Sequence, residues 1–83
     1  MILGDREDPR ARLHALFGGP AATSGQPPAA ALEWAERTLQ EADPAHEADP
    51  VTATRLLRRA ERRLTLGPAV FLAKHALARR GPG

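Results

Sequence analysis

Eighty-three residues without a cysteine leave room for one small domain, with no disulfide and no cysteine-based zinc site to hold it together. No apolar run reaches the roughly 18 residues of a membrane-crossing helix. The start, MILGDRED, turns acidic too early for a secretory signal, so the expectation is a cytoplasmic protein that does not contact a membrane.

The formal net charge is only +2, yet the charge is divided along the chain. Residues 1–50 carry four arginines against nine acids, or −5; residues 51–83 carry seven arginines and one lysine against one acid, or +7. Eleven arginines stand against a single lysine, with one isoleucine and no asparagine or tyrosine. That is the residue usage of GC-rich codons, so arginine in place of lysine does not by itself argue for bidentate recognition.

In chain order, residues 1–7 read as frayed. Asp8-Pro9 is a helix-start signal, and a short helix is expected from Pro9 to Phe17 with Leu13, Leu16 and Phe17 on one face. Gly18, Gly19 and Pro20 end it, and residues 18–28 read as a loop or linker. A second helix is expected from about Pro28 to Ala42, with Leu32, Ala35, Leu39 and Ala42 as its stripe and Ala31 beside it. Glu33 and Arg37 have i,i+4 ion-pair spacing. Trp34 lies at the edge of the stripe, where it either covers the core or anchors a partner.

Around the connection DPAHEAD, EADP occurs twice, at Glu41–Pro44 and Glu47–Pro50, and the copies read as two turn and cap signals. A connection this short favours an antiparallel hairpin. From Asp49 to Leu66 the chain reads as one amphipathic helix, with Asp49 as N-cap, Pro50 at the first helical position, and Gly67-Pro68 as its stop. At 100° per residue, Ala53, Leu56, Leu57, Ala60 and Leu64 form one stripe, and Arg55, Arg58, Arg59, Arg62 and Arg63 the opposite one. Glu33, Glu36, Glu41, Glu47 and Asp49 are expected within reach of parts of that arginine side. The last helix is expected from about Pro68 to Arg80, with Val70, Ala73 and Leu77 as one stripe. Phe71, Leu72, Ala76 and Ala78 surround it, so it should be buried on more than one side. Gly81-Pro82-Gly83 reads as a free tail.

No catalytic constellation is present. His14, His46 and His75 lie on three different segments without metal-ligand spacing, and Gly18-Gly19-Pro20 lacks the features of a phosphate loop. No catalytic residue, metal ligand or cofactor is assigned. The basic run Arg62-Arg63-Leu64-Thr65 resembles a phosphorylation motif of a kind common by chance. A helix-turn-helix is disfavoured, because the would-be recognition helix opens with Val70-Phe71-Leu72 instead of polar readers.

The expected fold is all-α: a small helical bundle in which two helices form an antiparallel hairpin, a third packs across them and a short N-terminal helix precedes them. The expected division is 1–27 as short helix plus linker, 28–80 as the helical domain and 81–83 as tail. The expected function is non-enzymatic, a protein-protein interaction module or adaptor. Its partner is another protein of acidic character or a second copy in a homodimer. Trp34, Phe71 and Leu72 supply contact area, and Arg55, Arg58, Arg59, Arg62 and Arg63 bind the anionic partner. The alternative is a nucleic-acid-binding protein that sets the same arginines against phosphates, although no interleaved aromatics or amides are present to read bases.

Overall fold

Asp-Pro and Gly-rich punctuation divides the chain into four helices. In the computed structural model, which describes residues 9–19 and 25–80, these are α1 (Pro9–Phe17), α2 (Ala29–Ala42), α3 (Pro50–Ala60) and α4 (Leu66–Arg80). The expectations for residues 1–8, 20–24 and 81–83 lie outside the described residues. The fold is an all-α bundle, and no strand occurs among the described residues.

Local chemistry accounts for most helix ends. The α1 helix stops at Gly18, whose N–H donates to the His14 carbonyl and whose positive φ of 71° suits a residue without Cβ. The His14 ring Nε2 lies 2.8 Å from the Gly19 carbonyl oxygen and closes the same turn. The two EADP copies act at opposite ends of helices. In the first, Asp43 is the C-cap of α2; in the second, the Asp49 carboxylate accepts from the Thr52 N–H at the start of α3, with Pro50 just inside it.

The core consists of six leucines (13, 32, 39, 57, 64 and 72) and six alanines (31, 35, 53, 69, 73 and 76). Each buried leucine contributes about 1.5–3 kcal/mol and each alanine much less, so the leucines carry most of the burial and the alanines permit close helix approach. Leu13 brings α1 onto this core, against α2 and α4. Ala42 and Ala60, expected in the stripes, are exposed, since each is the last residue of its helix.

Three expectations are corrected. The helix starting at Pro50 ends at Ala60, not Leu66, and Gly67-Pro68 lies inside the first turn of α4 instead of ending α3. Proline fits there because the first N–H groups of a helix have no intrahelical acceptor. Glycine fits before it because a Cβ would clash with the proline ring in helical backbone. The buried face of α4 is Pro68, Ala69, Leu72, Ala73 and Ala76; Val70 faces outward and Leu77 is only half-buried. A helix apolar over most of its circumference has no periodicity that selects one side. Here α4 packs against α1, α2 and α3 together, and the three neighbours select the face. The Glu33–Arg37 ion pair expected from spacing is absent from the described structure, where both residues are exposed.

Truncating Leu72, which has no exposed surface, is expected to cost about 2–5 kcal/mol, a large share of the about 5–15 kcal/mol typical of a domain. Val51→Ala, at a residue 64% exposed, should stay within about 0.5 kcal/mol of the parent. Urea denaturation of Leu72→Ala and Val51→Ala beside the parent checks both; equal losses would contradict this core.

Candidate functional site

The turn between α3 and α4 is built by Glu61, the single acid of the basic half. Glu61 caps α3, and its carboxylate oxygen Oε2 accepts from the backbone N–H of Arg63 at 3.0 Å. Its two oxygens also take the Arg63 guanidinium, through Nε at 2.9 Å and Nη2 at 3.2 Å. The Leu64 N–H returns to the Glu61 carbonyl, and Arg58 Nε donates to the Leu64 carbonyl at 3.2 Å. Leu64 is thereby turned into the core from a loop position. The five arginines are consequently not one stripe over three helical turns. Arg55, Arg58 and Arg59 lie on α3, and Arg62 and Arg63 lie on the turn; all five are exposed. Thr65 directly before Leu66-Gly67-Pro68 is an N-cap type of residue, the signal by which this break was readable.

Two acids of the first half, Glu36 and Asp43, meet α4. Arg79 Nε lies 2.8 Å from Glu36 Oε2 on α2. Arg80 clasps Asp43 twice, Nη1 donating to the carboxylate at 3.1 Å and Nη2 to the backbone carbonyl at 2.7 Å. Both side chains of this second pair are nearly buried. The Asp43 carboxylate also accepts from the N–H groups of Glu47 and Ala48, so one side chain ends α2, shapes the next turn and holds the C-terminus of α4. Glu33, Glu36, Glu41, Glu47 and Asp49 were expected within reach of parts of the arginine side. Of these, Glu36 pairs with α4 instead, and among the described residues none forms a salt bridge with an α3 arginine. Asp49 at the N-cap of α3, its carboxyl lowered chiefly by the Thr52 N–H, lies close enough to Arg55 for that charge to help lower it. Among the described residues, none of Arg55, Arg59 and Arg62 forms a salt bridge.

Beside Arg55 and Arg58 runs a groove between α3 and the start of α4, with a volume of about 260 Å³. Val51, Thr54, Leu66 and Val70 line it together with Pro50 and the two arginines. Val51, Leu66 and Val70 are the exposed large apolar residues of the described chain, at 64%, 57% and 41% exposure. This feature was missed in the sequence, although a signal exists: Val51 falls about 160° from Ala53 on the wheel, on the arginine side.

The other expected contact residues are dispersed. Trp34 is half-buried on α2, tilted against Phe17 of α1 at a ring-centroid distance of 4.7 Å. Phe71 is half-buried and meets the His75 ring edge-on at 4.7 Å, whereas Leu72 is wholly inside the core and offers a partner no surface. No group of His, Asp and Glu among the described residues is placed to hold a metal ion. No helix among them is long and apolar enough to cross a membrane. No protein-family model matches the chain, and no curated protein or solved structure matches it significantly. What the arrangement offers chemically is a cationic surface next to an open apolar groove.

Hydrogen bonds to the charged form lower three carboxylates. Glu61 is held at about 2, chiefly by the Arg63 guanidinium and then by its N–H. Asp43 is lowered by the Ala48 and Glu47 N–H groups and then by Arg80, and Asp49 by the Thr52 N–H. A carboxylate whose folded pKa is depressed stabilises the fold above its unfolded pKa, and that contribution is lost as pH falls through the folded value. Stability should therefore hold down to about pH 4.5 and decline toward about pH 2. In a series of urea denaturations, Glu61→Gln should flatten part of that decline, and Asp43→Asn the part below pH 3.8. Variant and parent curves running parallel would contradict the assignment.

Proposed function

We propose that this protein is a non-enzymatic interaction module that binds an acidic segment of another protein through the arginine side of α3 and the turn after it. The observation that carries this reading is the distribution of charge pairs. Of the carboxylates of α2 and its C-cap, Glu36 pairs with Arg79 and Asp43 with Arg80, while Arg55, Arg59 and Arg62 are exposed without a salt bridge among the described residues. Unpaired exposed charges of one sign speed association with an oppositely charged surface and discriminate against like-charged ones. The half-buried rings of Trp34 and Phe71 leave some aromatic surface for additional contact or for self-association.

The test compares acidic and nucleic-acid probes. Labelled polyglutamate should bind at low salt and weaken steeply as salt rises. Arg55→Glu/Arg59→Glu should abolish that binding with helicity unchanged. This pair is chosen because Arg58 and Arg63 make structural hydrogen bonds in the turn. A chain that ignores polyglutamate but shifts generic duplex DNA or RNA, with the salt dependence of phosphate contacts, would replace this reading with nucleic-acid binding.

A further inference from the structure

The groove beside Arg55 and Arg58 gives this reading a more specific ligand. We infer that it receives the aliphatic side chains of a short amphipathic acidic helix, whose carboxylates face Arg55, Arg58 and Arg59. The inference rests on the arginine reading above and adds the apolar half of the recognition.

Four observations converge on this occupant. Val51, Leu66 and Val70, the large apolar residues left most exposed, share one concave surface instead of being scattered. Scattered exposed apolar residues are ordinary, whereas a clustered set at a concavity marks a contact site. The volume of about 260 Å³ falls below the roughly 300–1,000 Å³ of sites that enclose a whole small molecule, and suits one or two inserted side chains. Every charged residue lining it is an arginine. An aliphatic side chain flanked by carboxylates satisfies both parts, whereas a basic or neutral segment leaves the arginines unpaired. Finally, along α3 the wall runs from Val51 to Arg58, seven residues or about 10 Å, matching about two turns of a docked helix with anchors at i and i+3 or i+4.

Other occupants meet the surface less well. Two copies of this chain paired through the groove about a two-fold axis would bring Arg55 and Arg58 toward the same residues of the other copy. A duplex phosphate backbone would engage the arginines but leave Val51, Leu66 and Val70 uncovered.

The experiment uses the full chain and two labelled synthetic peptides of the same composition. One has leucines at i, i+3 and i+7 among glutamates; in the other the leucines are scrambled off that spacing. Polyglutamate serves as the third probe. Fluorescence anisotropy should show the patterned peptide binding about tenfold or more tightly than the scrambled one. Val70→Glu and Val51→Asp should each erase that advantage while polyglutamate binding persists at low salt. Both residues are exposed, so neither change removes core packing, and an unaltered thermal transition verifies the fold. Methyl NMR signals of Val51, Leu66 and Val70 should shift on titration with the patterned peptide.

Equal binding of the two peptides, or indifference of the patterned one to Val70→Glu, would overturn the groove inference while leaving the arginine reading in place. Failure of polyglutamate and both peptides at low salt would remove that reading and this one together. A solution mass above the monomer that collapses in Val70→Glu would assign the groove to a second copy and overturn the proposal.

Discussion

The packing of α4 on all three other helices is the constraint on which the rest of the molecule depends. Six leucines are few for a domain of this size, and the six core alanines bury little surface. Such a core gains from shared elements, and α4, like α2, packs against all three other helices. The Ala69, Leu72, Ala73 and Ala76 face of α4 serves that purpose, since small side chains at three of the four positions let neighbouring helices approach closely. Leu13 and Leu64, one from the shortest helix and one from a loop, complete the same core.

This placement of α4 also distributes the charges. With its C-terminus lying along α2, Arg79 and Arg80 reach Glu36 and Asp43. The clasp of Asp43 is the most buried ion pair described. It joins the end of α2, the connection to α3 and the end of α4 at one carboxylate, both of whose oxygens accept hydrogen bonds. Removing one partner of such a pair costs more than the pair itself contributes, because the remaining charge is left poorly solvated. The more exposed Arg79–Glu36 pair matters less, at about 0.2–1 kcal/mol for surface pairs. The functional consequence is indirect: Glu36 and Asp43 are engaged by α4, and the arginines of α3 face solvent.

The positions of the helices were largely legible. Pro9, Pro50 and the glycines after Phe17 mark their ends chemically, and the stripes of α2 and α3 are clean because each of these helices has one buried side and one wet side. The legible part ran out where local signals compete. Gly67-Pro68 reads equally as the end of one helix or the first turn of the next, and the decision rests on Glu61, whose hydrogen bonds to Arg63 form a turn six residues earlier. The interior face of α4 was not legible because nearly every side of that helix is apolar. The groove was overlooked because its walls come from two segments that meet only in the folded chain.

By itself, the sequence determined the all-α class, the number of helices and the division of charge between the two halves, since these arise from local caps, periodicity and composition. Tertiary structure alone decided which charges meet, which face of α4 is buried and where an apolar surface remains exposed. Those outcomes depend on the relative positions of side chains far apart in the chain. Helical periodicity states only which residues share a side, not what that side faces.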